Sequence, residues 1–339
     1  MKRTLINYVG TPIPRIKEII LENGGVLPIW SPALTEEVVT SILSELVDTA
    51  KLQIEWQYLL SSSTQIPGSS LRIINTSLSD YPNIMKLLGL IREWGFSNWG
   101  AGVGMDMDID EWDYGMSHML ILNPQASCPV QMIVGAYRDL YHESPESYSI
   151  GSVSHFFELS DALKGCKLIE LGRSIFNPYY GLHQHEGIKS NVLLSGLAYL
   201  LHIYPEAQGF FGKISVYDTY QITEADRLFY SFARSFWRPG EFRYASPKAE
   251  FAVLDEELSM ADFTYLSEEP YKLLKVLFED RFQIPVMPVM AFYAGVCDIR
   301  KMHYFGTANN EPFHANESGM LIFKQDLNVL AQRIMSRWK

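Results

Sequence analysis

At 339 residues, 47% of them hydrophobic and 20% charged, the chain is long enough for one large domain with additions or for two domains around an ordinary core. Its net charge of −11 argues against broad nucleic-acid binding, which needs a basic surface to neutralise phosphates. Cys128, Cys166 and Cys297 lie far apart without the paired spacing of a zinc site or disulfide framework, so reduced, buried thiols are expected.

The N-terminus, Met1-Lys2-Arg3-Thr4, has a basic start without an apolar core or a small-residue cleavage site, and a cytoplasmic protein is expected. Residues 11–70 read as helical, with a long amphipathic helix over 35–60 that opens on Thr35, Glu36 and Glu37. Residues 61–70 look like a linker and 71–75 like a strand. A helix follows over 82–95, where Ile84, Leu87, Leu88 and Ile91 recur at the helical period. Strands are expected at 131–137, 167–171 and 210–216, and helices at 186–203 and 223–236, an order that gives a mixed αβ domain. The apolar stretches 192–203 and 284–296 are shorter than the roughly 20 residues a membrane-crossing helix needs.

The run Met105-Asp106-Met107-Asp108-Ile109-Asp110 would place three carboxylates on one face of an extended chain. Such a row persists if it is solvated, binds a metal or is neutralised by arginine. A calcium loop starts well but fails, because its sixth position is Glu111 instead of glycine and its twelfth is Ser117 instead of glutamate. Arg92, Arg138 at the end of an apolar strand, and Glu170 with Arg173 closing another, offer the acids guanidinium partners. A structural ion-pair cluster and a functional one both fit this spacing. His183 and His185 have no third ligand at fixed spacing, and no metal is expected.

Four segments, Ile91-Arg92-Glu93-Trp94-Gly95-Phe96, Gly104 through Asp113, Gly135-Ala136-Tyr137-Arg138 and Ile169-Glu170-Leu171-Gly172-Arg173-Ser174, together resemble the signature of one acyltransferase group. It comprises the ornithine-lipid and glycine-lipid N-acyltransferases of the GNAT superfamily, often labelled hemolysins and similar to acyl-homoserine-lactone synthases. The resemblance covers roughly residues 71–325 and implies a GNAT fold, a mixed splayed sheet flanked by helices. A helical N-terminal extension over 1–70, a core over 71–260 and a C-terminal extension over 261–339 are the expected domains.

The family implies transfer of a long-chain, 3-hydroxylated fatty acyl group from a thioester to the amine of glycine or ornithine, in aminolipid biosynthesis. By resemblance, Arg92, Phe96, Asp108, Asp110, Asp113 and Arg138 shape the acceptor end, with Arg173 beside them. Glu170 is the candidate base. Leu171, Gly172 and Ser174 supply main chain to the thioester, and Tyr217 or Tyr220 protonates the departing thiolate. A regular strand would send Glu170 and Arg173 to opposite faces, so a bulge near Gly172 is expected.

The loop that cradles the coenzyme A pyrophosphate in many acetyltransferases is incomplete here. Gly187 and Lys189 remain as donor-binding candidates, which favours the 4'-phosphopantetheine arm of acyl carrier protein over coenzyme A, with no cofactor beyond the donor. An acidic carrier would need a basic patch, for which Arg234, Arg238, Arg243 and Lys248 are candidates, and passing contact with the inner-membrane surface fits a lipid product. The competing readings are an acyl-homoserine-lactone-type synthase and a non-catalytic lipid-binding module.

Overall fold

The computed structural model describes residues 34–98, 102–183, 192–217, 244–248, 288–297, 301–310 and 315–338. The chain divides into two units, one of Met1–Leu140, Gly172–Ile203 and Arg337–Lys339, the other of Tyr141–Leu171 and Tyr204–Ser336.

In the first unit the helix expected over 35–60 is two helices, α1 (Glu36–Leu46) and α2 (Thr49–Ser62). The break falls at Val47 and Asp48, both extended, because the Asp48 side chain accepts from the Lys51 N–H and caps α2 instead of continuing α1. Val39, Leu43, Leu52, Trp56 and Leu59 face the helix α3 (Pro82–Ser97) in one apolar core. Helix α3 begins on a proline and has no side-chain cap of its own. Its first amides are met from α2, where Glu55 accepts from the N–H groups of Asn83 and Ile84, each at 2.9 Å.

Almost all of α3 is buried, as befits a helix apolar on most of its faces. Gly89 opens room on it: a Cβ there would lie 2.6 Å from Cγ1 of Ile109. The acidic segment packs into that space, and the Asp108 N–H donates to the Gly89 carbonyl at 2.9 Å.

Four strands follow one another in antiparallel pairing: β1 (Thr64–Gln65), β2 (Arg72–Thr76), β3 (Ser117–Leu122) and β4 (Ile133–His142). Helix α4 (Leu193–Ile203) packs on β2 and β3, and its Leu193 carbonyl accepts from the Tyr137 hydroxyl. The expected earlier part of that helix, 186–191, lies outside the described residues. Strand β4 outruns the predicted end by several residues. Arg138 and Asp139 are not strand terminators but buried interior positions, each carrying a partner that lets the strand continue.

The second unit holds β5 (Phe157–Leu159) and β8 (Ala245–Pro247), paired antiparallel. It also holds the start of β6 (Leu168–Phe176), with β7 (Gly209–Tyr217), β9 (His303–Asn310) and β10 (Ala315–Phe323). Strands β6 and β7 run parallel, Leu168 to Leu171 against Gly209 to Gly212, whereas β10 is antiparallel to both β7 and β9. The fold is thus mixed α/β, with the parallel pairing of β6 and β7 beside antiparallel ones. Helices α5 (Pro288–Val296) and α6 (Val329–Met335) follow, the second capped by Asn328. The helix expected over 223–236 lies outside the described residues. Among the described residues no helix is long and apolar enough to cross a membrane.

Candidate active site

The acidic run is not a strand. Residues 106–110 form an irregular segment whose three aspartates are all buried. A buried carboxylate is tolerated only with compensating charge, and α3, β4 and β6 each supply an arginine within the first unit.

Asp113, in the helical turn Trp112–Gly115, is the hub. Its Oδ1 accepts from Arg92 at 2.6 Å and from His118 Nε2 at 3.0 Å, and lies 3.4 Å from Arg138. Its Oδ2 accepts from the Asp110 N–H at 2.8 Å. Burial works against its charge, but Arg92, Arg138 and His118 outweigh burial and hold the carboxyl well below the usual carboxylate range. Burial, opposed by Asp113 and helped by Arg92 and Arg138, pushes His118 down, so its ring is a neutral donor at neutral pH.

Asp110 pairs with Arg138, whose guanidinium also lies over the Trp112 ring at 5.7 Å. Arg173 closes the network, 3.1 Å from Asp108 Oδ2 and 3.1 Å from Asp110 Oδ2. Its guanidinium lies over the Phe96 ring at 5.9 Å.

Arg173 is the network's opening to the surface: its side chain is 21% exposed, against 0% for Arg92 and 4% for Arg138. It also carries the irregularity expected at Gly172. Arg173 has φ +49°, the left-handed region in which a side chain costs roughly 1–2 kcal/mol. Gly172 needs no such freedom, and a Cβ there would meet Arg138 at an ordinary contact of 3.7 Å. The ion pairs with Asp108 and Asp110 hold Arg173 in this conformation.

Asp108 differs from its neighbours. It is wholly buried, and neither of its oxygens has a hydrogen bond among the described residues. Burial raises its pKa above the ordinary value despite Arg173 and Arg92 nearby. Nε and one terminal nitrogen of Arg92, and Nε of Arg138, are likewise buried without a hydrogen-bond partner. The site therefore holds unsatisfied groups of both signs.

Glu170 belongs to a separate cluster in the second unit. Its carboxylate is 1% exposed and accepts from Ser152 Oγ at 2.7 Å, the Val153 N–H at 3.0 Å and His142 Nε2 at 3.2 Å. Burial would raise it, but His142, Ser152 and Val153 together hold it below the ordinary glutamate value. Gly151 is required beside it, since a Cβ there would lie 1.9 Å from Glu170 Oε2. Gly151→Ala is expected to push that carboxylate off its donors and to cost about 1–3 kcal/mol, measurable by urea unfolding; an unchanged midpoint would show that the loop yields freely.

Arg92, Phe96, Asp108, Asp110, Asp113, Arg138 and Arg173 are thus brought together in the first unit, and Glu170 stands in its own cluster three residues before Arg173 on the same strand. Leu171 is buried in the pairing with Gly212, and Ser174 is half-buried. Tyr217 ends β7, but its side chain lies outside what is described, as do Gly187, Lys189, Tyr220, Arg234, Arg238 and Arg243. His183 sits 2.7 Å from Glu36.

The sequence reading missed His118, His142 and Glu93. Glu93 accepts from the N–H groups of Val103 and Gly104 and shapes the entry to the acidic segment. Alternation along β4 carried the signal for His142, four residues beyond Arg138, had the strand been extended past its charges.

The Acetyltransferase (GNAT) domain family matches residues 91–184, the span that holds both clusters. A glycine N(alpha)-acyltransferase of Bacteroides thetaiotaomicron is 31% identical over 257 residues, 71% of this chain and 74% of that protein. One of Phocaeicola vulgatus is 30% identical over 260 residues, 72% of this chain and 77% of that protein. No solved structure matches the chain.

Proposed function

The chain belongs to the GNAT-domain acyltransferase family of those two enzymes, and on that premise we propose that it moves a long-chain fatty acyl group from a thioester onto the amine of a small amino acid, glycine before ornithine. The observation that carries the acceptor class is the charge network of Asp108, Asp110, Asp113, Arg92, Arg138 and Arg173, with unsatisfied atoms of both signs. A zwitterion presents the complementary pair. Its ammonium would meet the carboxylate of Asp108, paired at 3.1 Å with Arg173, and its carboxylate the guanidinium of Arg173 itself, where the network is most exposed.

Reaction requires the amine as the free base, a proton acceptor, donors to the oxyanion and an acid for the thiolate. Glu170 is the proposed acceptor, directly or through a water. The main chain of residues 171–174 is the proposed oxyanion partner, and Tyr217 the proposed acid. A 3-hydroxyacyl chain, acyl carrier protein as donor, a cytoplasmic setting and passing contact with the inner-membrane surface belong to the same proposal. They rest on the family resemblance and on the incomplete pyrophosphate loop.

The test incubates the purified protein with 3-hydroxypalmitoyl carrier protein or the corresponding coenzyme A thioester, and with glycine, ornithine or S-adenosylmethionine. Mass spectrometry should find N-acyl glycine, lost in Arg173→Ala. A lactone product from S-adenosylmethionine would replace this reading with the homoserine-lactone one, and no product from a folded protein would favour a lipid-binding module.

A further inference from the structure

His142 is wholly buried in the second unit, yet nothing in the proposed chemistry uses it. Its ring is fixed between aromatic faces, stacked on Tyr148 with centroids 4.1 Å apart and tilted against Phe211 at 5.2 Å. It cannot flip without displacing both. The Tyr148 hydroxyl is turned away, donating to the Cys166 carbonyl, and burial keeps that phenol protonated. The groups that face the imidazole nitrogens are therefore Glu170 from β6 and Ser147 from the turn Pro145–Ile150.

Proton accounting fixes one nitrogen and leaves the other open. Both Glu170 oxygens accept: Oε1 from Ser152 and Val153, Oε2 from His142, so Nε2 carries a hydrogen. At the far side Nδ1 lies 3.0 Å from Ser147 Oγ, which is itself 2.7 Å from the Ser144 carbonyl. A hydroxyl has one proton. When it points to Ser144, Oγ can only accept, and Nδ1 must be protonated: His142 is an imidazolium paired with Glu170. When it turns to Nδ1, the imidazole is neutral and one proton has left to solvent. Ser147 alone of the three reaches the surface, being half-buried where His142 and Glu170 are not.

We propose that His142 is a positioning residue that sets the basicity of Glu170, its Nδ1 proton exchanging with solvent through Ser147. With His142 charged, a fixed cation beside Oε2 makes the carboxylate a poor base. With His142 neutral, the same hydrogen bond orients the carboxylate without that cation. Turnover accordingly rises with pH as the Nδ1 proton leaves. The inference rests on the proposed role of Glu170.

The experiment is the pH profile of kcat/KM for acyl transfer to glycine in the wild type and in Glu170→Gln, His142→Gln and Ser147→Ala, with the fold checked by circular dichroism. Glutamine at 142 can donate to Glu170 but cannot ionise, so the acid limb due to His142 should vanish. Removing the Ser147 acceptor disfavours the imidazolium and should move that limb to lower pH. The limb set by the acceptor's own ammonium stays in every variant. Unchanged profile shapes in both His142→Gln and Ser147→Ala, with Glu170→Gln inactive, would overturn the tuning role and leave Glu170 as base. An active Glu170→Gln would overturn both.

Discussion

Asp113→Ala is expected to destabilise the protein by about 3–5 kcal/mol, the usual cost of breaking a buried ion pair by removing one partner. The reason is geometric. Arg92 is 0% exposed, and its closest carboxylate contact is the 2.6 Å bond to Asp113. Without that carboxylate its guanidinium is left in the core, His118 loses its acceptor, and the Asp110 N–H loses its oxygen. Urea unfolding at neutral pH measures the loss. Asp108→Asn is the informative contrast, since the ion-pair partner of Asp108 is the partly exposed Arg173, which keeps Asp110, and burial already disfavours its charge. Its stability cost should be clearly smaller while acyl transfer falls. Equal stability costs would mean that the two aspartates share one structural duty, and the acceptor role of Asp108 would go with that.

The second large effect concerns Asp139, a fully buried carboxyl on β4 that accepts from Asn75 Nδ2 at 3.1 Å. Burial, only partly offset by Asn75 and the Met119 N–H, pushes it up to about 7. The unfolded chain titrates near 3.8, so between these values the folded state binds the proton that the unfolded state has released, and stability falls as pH rises. The penalty is absent below about pH 4 and complete above about pH 7, where it is on the order of 4 kcal/mol. Asp139→Asn removes it. The variant should gain on the wild type as pH rises from 5 to 8 and be stable by the larger margin at pH 8. A difference independent of pH would show that Asp139 stays ionised throughout. Asp113, Glu170 and Glu317, held below their ordinary values, act at the acid end instead, where stability is lost as pH falls through their range.

Much of the charge network could be read from the order of Arg92, the aspartate run, Arg138 and Arg173, because unmatched buried charge is too costly to persist and these residues had only one another. Helix α3 was legible from its 3.6-residue period. What failed were local readings. Arg138 looked like the end of a strand because charges usually are, yet β4 runs on to His142 once Arg138 and Asp139 are both partnered. The break at Asp48 was hidden because the apolar stripe continues across it, and only the side-chain cap reveals it. Glycine at 172 suggested a bulge there, whereas tertiary ion pairs hold a left-handed backbone on Arg173. His142 needed three dimensions, since its importance lies in what stands on either side of its ring.

The carboxylate of Glu55 ties the two leading helices to the helix that carries Arg92. Helices α1 and α2 are therefore foundation more than annex. A shortened version of the chain that begins at the first long strand would keep every residue of the charge network and still leave the first turn of α3 with bare amides. Trimming for crystallisation or fusion should spare Leu34, which is buried in the core, and Thr35, which caps α1.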